Sequence, residues 1–183
     1  MRLRGTFNPQ PFSSCLNSVT AYDAVESAWV APKMSTRTQN DVVNLASKKH
    51  RQYWKIGSDV SEQTKSAQFV CGEWQKAVKN KFGERFSKEH SVGDGFKEKI
   101  DLIDLQDAVA YELKVSKNNT HFEFYRNIFK VAVHNKCGHC LKIKKLVFIT
   151  PKEGADRLFT VYGNEVRALA EERHFIEVEI YDI

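Results

Sequence analysis

The sequence predicts a single α/β domain with a mixed central sheet that is flanked by helices on both faces. Its 183 residues suit one domain. Hydrophobic residues make up 42% of the chain and include 12 phenylalanines, which is enough for a buried core. Three strand-like segments follow one another as a meander, and strands then alternate with helices. This order is typical of a mixed sheet with helices packed on it.

The first third of the chain is predicted to be an irregular arm followed by a helix. Residues 1 to about 36 hold three of the four prolines and many Ser, Thr and Asn residues, which favour irregular structure. A helix is predicted over 38–54. We therefore divide the chain into an N-terminal arm and helix at 1–60, part of the core or appended to it, and a core domain at 61–183.

A second helix is predicted over 62–82. Ser61 is a suitable N-cap residue, and Gly83 lies just beyond the predicted end. Apolar residues recur at intervals of three and four, which is the helical period: Ala67, Val70, Cys71, Trp74, Ala77 and Val78.

Three strands are predicted to follow this helix. The first covers 84–92 and ends at the turn sequence Val-Gly-Asp-Gly. The second and third, over 99–105 and 108–116, both alternate apolar and polar residues and lie close enough in sequence to form a hairpin.

The rest of the chain alternates between helix and strand. A helix is predicted over 121–134, with Thr120 as its N-cap. Most of its circumference is apolar, which indicates packing on two sides, and its polar residues form one stripe: Glu123, Arg126, Asn127, Lys130 and His134. A buried central strand over 144–150 follows, then a helix over 154–172 and a strand over 175–183.

Charge and composition narrow the classes of function. The net charge is +5 and the pI is about 9.0, which modestly favours a polyanionic partner. No stretch approaches the roughly 18 apolar residues of a membrane span, and no apolar run follows the N-terminal arginines as in a secretory signal. The four cysteines lack the density of a secreted disulfide scaffold. We therefore expect reduced cysteines and an intracellular, cytoplasmic protein without a membrane partner.

The predicted hairpin brings two acids and a lysine to one face of the sheet. A turn at 106–107 pairs Asp101 with Glu112 and Lys99 with Lys114. Directly opposed residues share a face, with β-carbons about 5 Å apart. Asp104 would project from the opposite face. Gln-Asp is not a favoured hairpin turn sequence, so the turn does not by itself fix how the two strands pair. The approach of Asp101 to Glu112 therefore assumes this register, and a slip of one residue would break it.

Such a trio suits metal-assisted hydrolysis of a phosphodiester. Two neighbouring carboxylates repel each other when both are ionised, and a divalent cation between them removes that cost. Carboxylate oxygens suit Mg²⁺, which also accepts water and phosphate oxygens as ligands, and Mn²⁺ is expected to substitute. A nearby ammonium group can hold a water against the phosphate and stabilise the charge that develops there.

This arrangement resembles the PD-(D/E)XK nuclease superfamily, whose members have the restriction-endonuclease-like fold. Asp101 is followed after ten residues by Glu112-Leu113-Lys114, and the predicted order of elements matches the family core αβββαβ, here with a further C-terminal helix and strand. The resemblance implies Asp101, Glu112 and the carbonyl of Leu113 as metal ligands and Lys114 as the catalytic lysine. Glu73, on the preceding helix, is the candidate for a further ligand. Ile100 stands where the family name has proline.

The resemblance implies a Mg²⁺-dependent DNA endonuclease that leaves a 5′-phosphate. A type II restriction-like enzyme is the leading expectation, followed by a repair, phage or mobile-element nuclease. A homodimer is one expected arrangement, because cutting both strands needs two sites. The alternatives are a nuclease that acts on RNA and a non-catalytic nucleic-acid-binding module.

Three features have a simpler interpretation to weigh against a functional one. An amphipathic edge strand would explain Glu112 and Lys114 as solvent-exposed residues, although the small Ala108 and Ala110 share their face. His134, Cys137, His139 and Cys140 offer nitrogen and sulfur ligands for zinc, but a polar loop with reduced thiols is the preferred interpretation. The basic groups at 48–55 and at Lys79, Lys81, Arg85 and Lys88 suit phosphates but are typical of solvated surfaces.

Overall fold

A computed structural model describes residues 36–56 and 59–183 of the chain. The predicted N-terminal arm therefore lies outside the described residues. The helices and strands are, in order, α1 Thr36–Tyr53, α2 Val60–Phe82, β1 Phe86–Ser91, β2 Lys99–Asp104, β3 Val109–Leu113, α3 Thr120–Lys136, β4 Lys145–Thr150, α4 Lys152–Leu158, α5 Val161–His174 and β5 Glu177–Asp182. This order agrees with the predicted one except that one predicted helix is divided into α4 and α5.

The five strands form one mixed sheet in the order β1-β2-β3-β4-β5. The first two neighbouring pairs are antiparallel, and the last two, β3–β4 and β4–β5, are parallel. Every residue of β3 and β4 is buried, so both are central strands covered on both faces. The predicted α/β class and the central position of the 144–150 strand are confirmed.

Helices cover both faces of the sheet. On one face α1 and α2 pack against a cluster that includes Trp74, Tyr111 and Val147. On the other face, Phe124 and Val131 of α3 belong to a second cluster. This cluster also contains residues of α5 and the strand residues that point to this face. Because side chains alternate along a strand, each face takes its own set of residues.

The helix α1 is part of the core domain. Its residues Val42 and Ala46 are fully buried, and the indole nitrogen of Trp74 in α2 donates a hydrogen bond of 3.1 Å to the carbonyl of Val42. The sequence left open whether this helix is part of the core or appended to it. Its buried contacts place it within the core.

Two predicted N-caps differ from the observed ones. The cap of α2 is Asp59 rather than Ser61, because the Asp59 carboxylate accepts a 2.9 Å hydrogen bond from the amide of Glu62. The cap position of α3 is Asn119, in a left-handed conformation with φ of 56°. Thr120 instead donates its hydroxyl to the carbonyl of Lys117.

The predicted helix over 154–172 is interrupted at Phe159 and Thr160. Thr160 is extended, and α5 starts after it. A β-carbon built on Gly163 would lie 1.9 Å from the carbonyl oxygen of Leu158, so the chain can turn back this closely only with glycine there. Among the described helices, none is long and apolar enough to cross a membrane.

Candidate active site

The β2–β3 hairpin has the predicted register. Leu102 pairs with Tyr111, Ile103 with Ala110, and Asp104 with Val109. The same register, carried one residue further, sets Asp101 opposite Glu112. Both side chains lie on the α3 face of the sheet, as do Ile103 and Ala110, because alternate positions share a face.

Asp104 fixes the turn of this hairpin from the opposite face. Its fully buried carboxylate accepts hydrogen bonds from the amides of Gln106 and Asp107, at 3.0 and 3.2 Å. Arg85 donates to both carboxylate oxygens, with distances of 2.9 Å from Nε and 2.7 Å from Nη2. Arg85, which lies just before β1, thus supplies the turn with the stability that the turn sequence lacks.

Asp101 links β2 to the end of β3 and to α2. Its Oδ2 accepts a 3.0 Å hydrogen bond from the amide of Leu113 and a 3.5 Å hydrogen bond from the thiol of Cys71. Burial raises the pKa of Asp101, although the nearby charge of Lys130 and these hydrogen bonds oppose that effect. The carboxylate is therefore held in one position by groups from two neighbouring elements.

Glu112 is a buried carboxylate beside Asp101. Burial, and then the negative charge of Asp101, raise the pKa of Glu112 well above its usual value. Its Oε1 lies 2.5 Å from the ammonium group of Lys130 in α3, and the charge of that one lysine also acts on Asp101. The two neighbouring carboxylates are thus only partly compensated, which is the situation that a bound cation would relieve.

Two lysines approach this pair from different elements. Lys130 is almost fully buried and also donates a 2.7 Å hydrogen bond to the carbonyl of Lys99. Lys114 is half-buried just after β3, and its backbone amide is fixed by a 2.8 Å hydrogen bond to the carbonyl of Ile149. Within 36–56 and 59–183, no acidic group pairs with the Lys114 ammonium, which leaves it available to a ligand.

These groups line one cleft of about 540 Å³. Five acidic and five basic side chains surround it: Glu89, Glu98, Asp101, Glu112, Glu123, Lys97, Lys99, Lys114, Arg126 and Lys130. Its acids can bind a cation while its bases bind an anion. Such a mixed lining suits a metal ion together with a phosphate.

The predicted polar stripe of α3 turns toward this cleft. Glu123, Arg126, Asn127 and Lys130 all line it. The sequence indicates this stripe but not that it faces the cleft, because the direction in which the stripe points depends on how α3 crosses the sheet. Cys71 and Glu89, which also line the cleft, were not identified as site residues.

The structure brings together Asp101, Glu112, Leu113 and Lys114 but does not bring Glu73 to them. Glu73 pairs instead with Lys49 and Lys76, at 3.9 and 3.8 Å, and does not line the cleft. The helical phase explains the difference. Residue 73 lies about 200° around the helix from Cys71, the residue that α2 does present to Asp101.

Most of the basic groups that the sequence suggested for phosphate contacts form ion pairs with acidic side chains or lie outside the carboxylate cleft. Lys79, Lys81 and Arg85 form ion pairs with Glu84, Asp41 and Asp104, respectively. In the 48–55 segment, His50 and Trp54 line a separate cavity of about 280 Å³, which shares Val115 and Ser116 with the carboxylate cleft.

Comparison of the chain with protein-family models, with curated proteins and with solved structures finds no match. The function must therefore be argued from the cleft itself.

Proposed function

We propose that this protein is a Mg²⁺-dependent DNA endonuclease with a restriction-endonuclease-like fold. The observation that carries the proposal is the pair of carboxylates on adjacent strands, Asp101 (partly buried) and Glu112 (buried), with Lys114 lining the same cleft. The order α2, β1, β2, β3, α3, β4 supports it, since it follows the αβββαβ core of the PD-(D/E)XK superfamily.

The residues of the cleft fit a divalent cation. Glu112 is buried and Asp101 partly buried, both have raised pKa values, and the two carboxylates share the ammonium of Lys130 as a nearby positive charge. Oxygen donors of this kind select a hard ion, so Mg²⁺ is the expected metal and Mn²⁺ a substitute. Asp101, Glu112 and the carbonyl of Leu113 would hold it. When bound, the metal supplies Lewis acidity toward a phosphate and lowers the pKa of a water.

Side chains of the cleft would position the water, the metal ligand Glu112 and the nucleic acid. The ammonium of Lys114 orients the attacking water and stabilises the negative charge that develops on the phosphate. Lys130 keeps Glu112 in position from α3. Lys97 at the cleft is suited to a contact with a flanking phosphate, whereas Lys99 and Arg126 are paired with Glu89 and Glu98. Cleavage would leave a 5′-phosphate.

A type II restriction-like enzyme remains the leading form of the proposal, and a homodimer would place two such clefts on a duplex. A cytoplasmic location agrees with the thiols of Cys71, Cys137 and Cys140, which are free.

Cleavage of plasmid DNA tests the proposal. The full chain is incubated with supercoiled plasmid, single-stranded DNA and RNA in Mg²⁺, with and without excess EDTA. We expect the plasmid to be nicked and linearised and EDTA to stop the reaction. Faster cleavage of RNA would contradict the DNA assignment. Binding of DNA without cleavage would instead favour a non-catalytic module.

The Lys114→Met variant is expected to cleave plasmid about a hundredfold more slowly, because it keeps the aliphatic chain but loses the ammonium group. DNA binding measured by fluorescence anisotropy should stay within a few fold of the parent. Lys88→Met is the matched control, since Lys88 is exposed on β1 and does not line the cleft. Cleavage by Lys114→Met at the rate of the control would refute the assigned role.

A further inference from the structure

Three histidines from separate segments converge on the α3 side of the sheet edge. His90 lies on β1, His134 in the last turn of α3, and His139 in the loop that follows. One ligand nitrogen from each lies within 4.8 Å of the other two. The rings of His134 and His139 are stacked at 4.1 Å between centroids, and His90 lies 5.3 and 5.7 Å from them.

Each ring already uses one nitrogen to fix its orientation. Nε2 of His134 lies 3.2 Å from the carbonyl of Leu141, and Nε2 of His139 lies 3.0 Å from the carbonyl of Val92. A carbonyl only accepts, so both rings must donate from Nε2 and carry their lone pair on Nδ1. Nδ1 of His90 contacts the hydroxyl of Ser87 at 3.2 Å. Hydrogen bonds of this kind orient histidines that bind metals.

His134 provides a second, independent indication of a ligand. Its side chain is fully buried and lies near the backbone of Ser91, and its Nδ1 forms no hydrogen bond of normal geometry with the described residues. An unpaired polar atom in the interior costs free energy unless something binds it.

We propose that His90, His134 and His139 form a zinc site that links β1 to the end of α3. Three imidazole nitrogens and a solvent molecule complete a tetrahedral zinc site, in which ligand nitrogens are about 3.4 Å apart. The three nitrogens lie within 4.8 Å of one another, so the rings must rotate from their present stacked arrangement to reach that spacing. Cys137 and Cys140 are exposed and lie outside the histidine cluster, so the ligands come only in part from the Cys- and His-rich loop that the sequence highlights.

The consequence is structural. A zinc ion at this point would join the edge strand β1 to α3, the helix that carries Lys130 and Arg126 into the carboxylate cleft. The site and the cleft use different ligands, nitrogen in one and oxygen in the other. The zinc proposal therefore does not depend on the proposed nuclease activity.

Metal titration of the full chain tests the proposal. The protein is stripped with chelator, exchanged into metal-free buffer and titrated with Co²⁺, followed by visible absorption, and with Zn²⁺, followed by calorimetry. We expect one tightly bound ion per chain in addition to any ion held by the carboxylate cleft, with the intense Co²⁺ bands typical of tetrahedral geometry, and displacement of that Co²⁺ by Zn²⁺. Saturating Zn²⁺ at about a hundredfold excess over Kd should raise Tm by about 5–10 °C.

Matched glutamine variants identify the ligands. Loss of a group that only orients a metal ligand weakens metal binding by about 10–100-fold. Loss of a ligand itself should cost at least as much, so His90→Gln and His139→Gln should each weaken Zn²⁺ binding by at least about tenfold. His174→Gln, at an exposed histidine at the end of α5, should bind as the parent does. Circular dichroism confirms that each variant is folded.

Three results would overturn the site: no stoichiometric Zn²⁺ binding by the parent, unchanged binding by His90→Gln and His139→Gln, or loss of binding in Asp101→Asn. The last outcome would assign the zinc to the carboxylate cleft. Retained Zn²⁺ binding in Asp101→Asn, with loss in the histidine variants, would support the site whether or not the protein cleaves DNA.

Discussion

Glu112→Gln is expected to reduce plasmid cleavage by about a thousandfold or more while making the metal-free protein more stable near neutral pH. The loss of activity follows from removing one of the two carboxylates proposed to hold the metal. A thousandfold decrease corresponds to about 4 kcal/mol of transition-state stabilisation, a reasonable share for a metal site. Gln keeps the shape of the side chain, so the fold should be unchanged.

The gain in stability follows from the raised pKa of Glu112. A carboxyl with a folded-state pKa above its unfolded value takes up a proton on folding, so its stabilisation is complete below the unfolded pKa. That stabilisation is lost as pH rises through the folded pKa. Ionised Glu112 then lies buried beside Asp101, and the two negative charges share one ammonium, that of Lys130. Gln cannot ionise, and Lys130 still has the charge of Asp101 and the carbonyl of Lys99 as partners.

Thermal unfolding in EDTA between pH 5 and pH 9, together with plasmid cleavage, measures both effects. The parent should lose stability relative to Glu112→Gln as pH rises. Glu73→Gln is the matched control, because Glu73 is paired outside the cleft, and it should retain parental cleavage. Cleavage by Glu112→Gln within tenfold of the parent would refute the site.

Asp104→Ala is expected to destabilise the protein by about 3–5 kcal/mol. The change removes the buried partner of Arg85 and the acceptor for the amides of Gln106 and Asp107. The loss is costly because the two turn amides and the Nε of Arg85 lose a fully buried acceptor, although Arg85 keeps Asp107 as a partner at 2.6 Å. Since this network fixes the β2–β3 turn, the surviving folded protein should also cleave DNA more slowly.

Urea denaturation at neutral pH measures the change in unfolding free energy. Asp94→Ala is the matched control, because Asp94 is an exposed aspartate in the preceding turn and should change stability by no more than about 0.5 kcal/mol. Equal stability of the two variants would show that the Arg85–Asp104 pair does not hold the hairpin.

The hairpin register could be predicted from the sequence because it follows from local pattern. Glu112 and Lys114 lie at alternate positions on one side of the hairpin, and the short turn sets Asp101 on the other side opposite Glu112. The cause of that turn could not be predicted, because Arg85 lies 19 residues from Asp104 and its contribution is a tertiary contact.

Other parts of the cleft depend on how helices are oriented on the sheet. The sequence indicated the polar stripe of α3, but only the packed helix shows that Lys130 reaches Glu112. Glu73 was assigned to the site because it neighbours core residues of α2, yet its helical phase directs it away. The histidine cluster could be predicted only in part: the sequence indicates His134 and His139 as possible ligands, but His90 is far from them in sequence.

The most direct test of the central claim is a Mn²⁺ titration of the full chain, followed by electron paramagnetic resonance. If Asp101 and Glu112 share one divalent ion, the parent binds Mn²⁺, Mg²⁺ competes with it, and Asp101→Asn weakens binding by at least about tenfold. Glu73→Gln should bind as the parent does. Parental Mn²⁺ affinity in Asp101→Asn would contradict the shared metal site and, with it, the proposed nuclease.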